Sequence, residues 1–244
     1  MKKILAVEAK LHLREWPSLA FTIGLPLILL LVIGSIPDLS KADPQLGGER
    51  FVDTQLPSQM VLLALMTLSF SVLPAVLATY RQQGVLRRMS TTPVHPSRLL
   101  AAQLVINLAV GVVSALILVV MGHLVLGSRL PGQIFGFVLV FLLGTAALLA
   151  LGLVVASVAP NGKVAPAIGS IIMFPLLFVA GMWIPRDIMP AALKTISDYS
   201  VAGPFAQALR DTWAGHAPQV SSIVVMVVGL LVFGGLAVKL FRWE

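Results

Sequence analysis

The chain alternates between long apolar stretches and short polar segments. Six stretches of more than 20 residues lack Asp, Glu, Lys and Arg, and trimming their polar and Pro/Gly ends leaves predicted helices at 18–36, 58–79, 103–126, 133–158, 166–184 and 221–238. About 20 apolar residues in a helix cross the hydrocarbon core of a bilayer. The pattern therefore predicts an all-α integral membrane protein with six transmembrane helices, forming a single domain over residues 1–244.

Two polar segments have a helical pattern of their own. Residues 1–16 place Leu5, Ala9 and Leu13 on one helical arc and basic side chains on another, which predicts an N-terminal interfacial helix. The loop 80–102 surrounds a small apolar patch with arginines, a pattern suited to docking into a groove on a partner protein. The alternative is that these arginines only fix the orientation of the chain.

A third polar segment lies between the last two predicted spans. Residues 185–220 are amphipathic, and three prolines, Pro185, Pro190 and Pro204, are expected to break this segment into short helices. Irregular backbone at membrane depth requires cover from protein or from a cavity. The alternative is a plain folded loop.

Composition and charge orient these elements in a membrane. Hydrophobic residues make up 58% of the chain and charged residues 11%, against roughly 25% charged residues in soluble domains. The side with loop 80–102 carries eleven basic and three acidic residues, and the opposite side carries six and seven. By the positive-inside rule both termini are predicted to be cytoplasmic, in a multi-pass plasma-membrane protein. The net charge of +7 follows this split, so no nucleic-acid partner is expected.

Several kinds of chemistry are disfavoured. The spans contain no acid or fixed base for ion coupling, and His123, at the outer end of span three, is more typical of an interfacial hydrogen bond than of a proton relay. The chain has no cysteine, no G-x-S-x-G, no H-E-x-x-H and no G-x-x-x-x-G-K-[ST]. No catalytic residue, metal site or cofactor is predicted, and any ATP hydrolysis is expected in a separate subunit.

Small residues in span four predict close helix packing. Gly136, Val140, Gly144, Leu148 and Gly152 recur at intervals of four and so share one helical face. Glycine there lets a neighbouring helix approach closely. This seam is therefore interpreted as scaffold.

Two segments resemble the permease subunits of type-2 ATP-binding-cassette (ABC) transporters. The loop after span two matches the family's pattern at Gly84, Leu86, Met89 and Thr92-Pro93-Val94, and the stretch 181–215 is similar to its G-x-x-x-P, M-P and A-L-R pattern. Many members carry acids where this chain has Arg81-Gln82-Gln83. The stretch from Gly84 to Arg88 resembles the drug-efflux branch.

The resemblance implies roles for particular residues. It implies that residues 80–93 form a short cytoplasmic coupling helix whose contacts with an ATPase would come from Arg81, Gly84, Leu86, Arg87, Arg88, Met89, Thr92 and Pro93. It implies that spans two and five flank a route between two permease copies, for which the candidate lining residues are Thr67, Phe70, Ser71, Phe174, Phe178 and Met182. It implies an outer re-entrant helical segment between spans five and six, with a gate at Pro185, Pro190, Pro204 and Phe205. The aromatic and Met stripe is also compatible with lipid contact or core packing.

These observations lead to an expected function. The chain is expected to be the permease of an ATP-driven exporter of an amphiphilic or hydrophobic compound, such as a drug or antibiotic, acting by alternating access. Its expected partners are membrane lipids, a second permease copy in a homodimer or paralogous heterodimer, and two copies of a cytoplasmic ABC ATPase that binds ATP and Mg. The alternatives are a lipid or lipid-linked glycan exporter and a non-transport membrane sensor or assembly protein.

Overall fold

The computed structural model of the protein describes residues 2–42, 48–85, 88, 97–184 and 186–240. Those residues form helices and turns without a β-strand, which confirms the all-helical prediction. The helices are α1 (Lys2–Arg14), α2 (Pro17–Gly34), α3 (Gln55–Gln82), α4 (Ser97–Leu126), α5 (Ile134–Val158), α6 (Ala165–Val179), α7 (Ala191–Tyr199), α8 (Ala202–Trp213) and α9 (Val220–Leu240).

Five of these helices, α2 to α5 and α9, are long and apolar enough to cross a membrane. The predicted fifth span, 166–184, is instead the 15-residue helix α6. It ends at Val179 because Gly181 adopts a left-handed conformation with φ of 84°. The backbone N–H groups of Gly181 and Met182 then return to the carbonyls of Phe178 and Leu177, which closes the helix.

Helix α3 is the centre of the bundle. In its most apolar window 83% of the residues are buried, against 22% for α2 and 17% for α9. It contacts α2, α4, α5, α6 and α8. The apolar faces that α2, α4 and α9 leave exposed therefore lie on the outside of the bundle, where lipid or another chain would cover them.

Helices α2 and α3 each contain a π turn shortly before a proline. The segment Ala20–Gly24 precedes Pro26, and Leu68–Val72 precedes Pro74. Proline lacks an N–H, and its ring clashes with the carbonyl one turn earlier. The wider π turn relieves both problems locally, so each helix continues past its proline.

Glycines bring α5 and α6 directly against the π turn of α3. A Cβ atom built on Gly152 would lie 2.9 Å from the carbonyl carbon of Ser69, and one built on Gly169 would lie 2.7 Å from that of Phe70. Further along α5, Gly144 packs under the ring of Phe205. The predicted small-residue seam is confirmed, and it faces both α3 and α8.

The predicted outer segment does form short helices. Helix α7 follows Pro190, and the break before α8 falls at Ser200 and Val201. The expected break at Pro204 is wrong, because Pro204 lies in the first turn of α8. N–H groups in a first turn have no intrahelical acceptor, so proline costs no helical hydrogen bond there.

Contacts sort the loops into two ends of the bundle. At one end, here called the outer end, the Arg50 side chain donates to the Gly127 carbonyl (3.2 Å) and the Gly132 N–H donates to the Trp213 carbonyl (3.1 Å). At the inner end, α1 and the loop between α5 and α6 meet the last turn of α3. These two groups of loops coincide with the two sides that the charge count separates.

Candidate functional site

Arg81, at the inner end of α3, binds the C-terminal carbonyls of α5. Its Nη1 donates to the carbonyls of Ser157 (2.9 Å) and Ala156 (3.4 Å), and its Nη2 donates to that of Ala159. The last carbonyls of a helix lack intrahelical donors and carry partial negative charge, so a guanidinium is well suited to cap them. Arg81 therefore ties the end of α3 to the end of α5 within the chain.

The loop between α5 and α6 is held against the same turn of α3. Gly162 packs on Thr79, where an added Cβ would lie 3.1 Å from the Thr79 Cβ. The Asn161 side-chain oxygen accepts hydrogen bonds from the N–H groups of Lys163 (3.0 Å) and Val164 (2.9 Å), which fixes the turn directly before α6. The end of α3, the end of α5 and the start of α6 thus form one connected unit, here called the inner junction.

Of the predicted coupling segment 80–93, residues 80–82 belong to α3, and the rest begins directly after this junction. Gly84 has φ of 65°, and its N–H donates to the Arg81 carbonyl (3.0 Å) as α3 ends. Arg88 is exposed; its backbone N–H donates to the Gly84 carbonyl (3.0 Å) and its side chain to that of Gln83 (3.2 Å). The remaining predicted contact residues, Leu86, Arg87, Met89, Thr92 and Pro93, lie outside the described residues, so ATPase docking stays a prediction.

A buried carboxylate attaches α1 to the bundle, and the sequence analysis missed it. Glu8 Oε2 accepts hydrogen bonds from the Tyr80 hydroxyl (2.7 Å) on α3 and from the Gln103 amide (2.5 Å) on α4. Glu8 and His12, one turn apart, are both buried, whereas the apolar Leu11 and Leu13 are exposed. Helix α1 therefore buries Glu8 and His12 against the bundle and exposes apolar and basic side chains together, a mixture that suits a helix lying at a membrane interface.

His12 shares this polar interface. Burial lowers the pKa of His12, although the charges of Glu15 and Glu8 act in the opposite direction. Within the part of the chain that the structure describes, its Nε2 atom is buried without a hydrogen-bond partner. A neutral imidazole is the form that fits this surrounding, because burial disfavours the charged form.

The predicted route residues are divided between the core and the surface. Phe70 and Thr67 are buried in the centre of the bundle, and the Thr67 hydroxyl donates to the Leu63 carbonyl (2.9 Å). Phe174 is 56% exposed on α6. Ser71, Phe178 and Met182 are half-buried. The structure does not bring the six residues together on one surface, and their assignment to a route stays a prediction.

An ion-paired clasp joins the loops at the outer end. Asp53 is buried and accepts two hydrogen bonds from Arg50 (2.7 and 2.8 Å) and one from the Arg129 N–H (3.2 Å). Burial acts to raise the pKa of Asp53, but the hydrogen bonds and charges of Arg50 and Arg129 outweigh it, so the pKa lies below its usual value. The Arg129 carbonyl also accepts from Trp213 Nε1 (2.8 Å), which joins α8 to the clasp.

His123 belongs to the same end. Its Nδ1 forms a 2.9 Å hydrogen bond with the Ser128 carbonyl, just beyond the end of α4. His123 therefore forms a hydrogen bond within the protein, and its position at a membrane interface stays a prediction.

A cavity of about 1130 Å³ opens at the outer end. The start of α3, the turn after α6, helix α8 and the start of α9 surround it. Of the predicted gate residues, Pro204 lines the cavity, Phe205 is fully buried against α5 and Pro190 is exposed. Pro185 lies outside the described residues.

Comparison with known proteins identifies the family. The sequence model of the ABC-2 type transporter family matches residues 1–214, most of the chain. No curated protein matches the chain significantly. The chain belongs to the ABC-2 type transporter family and is a multi-pass membrane protein.

Membership defines the general role of the chain. It is a permease subunit of an ABC transporter, a component that is not itself catalytic, and permeases of this family typically work with an ABC ATPase.

Proposed function

We propose that this permease belongs to an ATP-driven exporter of amphiphilic or hydrophobic compounds, drugs or antibiotics among them. Its ATPase partner would be a separate cytoplasmic chain, present in two copies and supplying the ATP and Mg sites. A second permease copy, identical or paralogous, would complete the pathway, and alternating access would move the cargo. The observation that carries the proposal is the family match over residues 1–214.

Contacts along α3 support a sixth membrane crossing through α6. Gly162, just before α6, packs at the level of Thr79, and the Gly181 carbonyl, just after α6, accepts from the Gln59 amide (3.3 Å). The 20 helical steps of α3 that separate Gln59 from Thr79 rise about 30 Å, which is about the thickness of the hydrocarbon core. Residues 162–181 run antiparallel to this length, so short turns at each end would extend the 15-residue helix to a full crossing.

Six crossings agree with the charge distribution. With α6 as a crossing, α1 and the end of α9 lie on the same side as the arginine-rich loop 80–102, which the positive-inside rule assigns to the cytoplasm. Five crossings would place the end of α9 on the opposite side of the membrane from α1 and loop 80–102. Single-cysteine variants test this easily because the chain has no cysteine of its own. We expect a membrane-impermeant maleimide to label Lys41→Cys in intact cells and Lys239→Cys, at the end of α9, only after the membrane is opened. Labelling of both in intact cells would indicate five crossings and contradict six.

The lack of fixed charges in the middle of the spans supports an apolar or amphiphilic cargo. The only fixed charges within the five long helices are Arg81, Arg98 and Lys239, all within two residues of the inner ends. An ion pathway normally carries ionisable groups near the middle of the membrane. A route through this bundle would instead offer apolar side chains and hydroxyls.

The inner junction offers a means of coupling. The part of the coupling segment that lies beyond α3 begins at Gly84, three residues after Arg81. A displacement of this part would therefore pull on α5 and α6 as well as on α3. The proposed cycle would use this connection to convert ATPase closure into helix movement.

Inside-out vesicles containing the permease and its ATPase test the direction of transport. We expect a fluorescent amphiphile to accumulate when ATP is added outside, and vanadate to prevent it. ATP-dependent loss of preloaded probe would contradict export. An intact complex that hydrolyses ATP but moves only lipid analogues would favour the lipid-exporter alternative.

A further inference from the structure

We propose that the outer cavity is a binding site for lipophilic organic cations of the quaternary onium type, with Asp211 supplying the countercharge. The proposal deepens the proposed function by naming a ligand class at the outer end, and to that extent it rests on it. Binding itself requires only the permease chain.

The size and lining of the cavity suit an amphiphilic ligand. Its volume of about 1130 Å³ is slightly above the range of sites for drug-sized molecules, roughly 300–1,000 Å³. Aromatic side chains from three different segments line it, namely Phe51, Trp183 and Tyr199. Trp183 and Tyr199 are largely exposed in the single chain, so their ring faces are available. Aromatic groups gathered around one space are the usual recognition element for quaternary ammonium ions.

Among the carboxylates of the cavity wall, Asp211 is the one without an ion pair to another described residue. Three carboxylates and two arginines line the cavity. Asp198 is ion-paired with Arg186, and Glu49 lies 3.5 Å from Arg129, which is outside the lining. The Arg210 side chain donates to Gln207 (2.9 Å), which lies between it and Asp211. Asp211 is therefore the carboxylate that could serve a cationic ligand.

Asp211 has an incomplete set of partners. Its Oδ1 accepts a hydrogen bond from the Gln207 amide (2.7 Å), and Gln207 in turn accepts one from Arg210 (2.9 Å). Its Oδ2 is buried and has no hydrogen-bond partner among the described residues. Burial raises the pKa of Asp211, against the opposing effects of Gln207, Arg210 and His216. A carboxylate in this state is stabilised by a nearby positive charge, even by one that donates no hydrogen bond.

An onium ion meets these conditions better than a primary amine does. The shielded Oδ2 atom offers no exposed lone pair to a donor, whereas the field of the carboxylate extends into the cavity. A cation with a diffuse charge and an apolar surface loses little hydration on entering and gains contact with the rings. Such a ligand could be a free solute or the choline headgroup of an outer-leaflet lipid.

Binding of tetraphenylphosphonium and tetraphenylborate provides the test, because the two ions share shape and apolarity but differ in charge. The purified chain would be placed in phosphatidylglycerol nanodiscs, and equilibrium dialysis would be corrected with empty nanodiscs. We expect saturable binding of the phosphonium, no saturable binding of the borate, and quenching of tryptophan fluorescence that Trp183→Phe removes. Equal binding of the two ions would overturn the proposal.

Asp211→Asn isolates the countercharge, since it keeps an oxygen for Gln207 and changes the net charge by one. The matched control is Asp38→Asn, which makes the same charge change at an exposed position outside the cavity lining. We expect at least a 10-fold loss of phosphonium affinity for Asp211→Asn and none for Asp38→Asn. Equal affinities would refute the role of Asp211. If Asp211→Asn does not fold, the comparison of the two ions in the wild type still decides the proposal.

The lipid composition distinguishes the two sources of the cation. Weaker phosphonium binding in phosphatidylcholine nanodiscs would show that choline headgroups occupy the site, and equal binding would assign it to soluble cations. Both results support an onium site. Absence of binding with an ATPase still co-purifying would refute this inference and leave the transporter assignment intact.

Discussion

Replacing Gly152 by alanine tests how tightly α5 is packed on α3. The added Cβ would lie 2.9 Å from the Ser69 carbonyl carbon, whereas carbon atoms in contact prefer about 3.5–4.0 Å. The clash is with backbone inside a helix, so a side-chain rotation cannot relieve it. Helix α5 must therefore move away from the π turn of α3 by about 1 Å, judged from that same contact distance.

The expected cost follows from two opposing effects. Overpacking a tight contact typically costs about 1–3 kcal/mol, and replacing glycine by alanine within a helix returns roughly 0.8–1.0 kcal/mol. We therefore expect Gly152→Ala to lose roughly 0–2 kcal/mol net, the difference of these two ranges. The matched control is Gly235→Ala on α9, where nothing lies within 4 Å of the added atom; it should be neutral or slightly stabilising.

Thermal melting in mild detergent, followed by intrinsic fluorescence, measures both variants. Trp213 is a suitable reporter because it is buried and its ring packs edge-on against Phe137, with centroids 5.4 Å apart. We expect the midpoint for Gly152→Ala to fall by several degrees below that for Gly235→Ala. Equal midpoints would show that α5 and α3 are not in the close contact described here.

Three further perturbations address the inner junction, α1 and the outer clasp. Arg81→Gln should cost about 2 kcal/mol, because bonds from a charged donor are lost, and should lower transport more than ATPase turnover; equal losses would refute a coupling role. Glu8→Ala should make α1 more sensitive to limited proteolysis, because the hydrogen bond from the Tyr80 hydroxyl that holds α1 on the bundle is lost. The control Glu15→Ala, at an exposed position, should leave the sensitivity of α1 unchanged. Asp53→Asn should lower stability at neutral pH by about 1–2 kcal/mol, near the lower end because its Arg50 partner is partly exposed. The lowered pKa of Asp53 means that its contribution is present above its unfolded pKa of about 3.9 and is lost as pH falls through the folded value. A gap between wild type and variant that does not narrow as the pH is lowered below the unfolded pKa would refute this.

Hydropathy alone predicts the positions of five spans closely, because lipid demands long apolar helices whatever their packing. The shorter α6 was not predicted, since apolar residues continue past Val179 and only the backbone conformation of Gly181 ends the helix. The two π turns were also missed. Hydropathy carries no information on hydrogen-bond register, although Pro26 and Pro74 were the available signal.

The candidate site was less predictable because its key contacts join residues distant in sequence. Glu8 is one polar residue among several in residues 1–16, and only the fold brings Tyr80 and Gln103 to it. Arg81 was assigned to a partner by resemblance, whereas its donors reach α5. The seam at Gly144 and Gly152 was predictable, because its spacing is local to one helix.

The most direct test of the account is affinity purification of the tagged chain from mild detergent, with mass spectrometry and an ATPase assay of what accompanies it. The account predicts an ABC ATPase with a phosphate-binding loop and vanadate-sensitive turnover, lost when Arg87 and Arg88 are both changed to glutamate. A pure permease preparation, free of any ATPase under conditions that preserve its fold, would contradict the central claim and favour a membrane sensor or assembly protein.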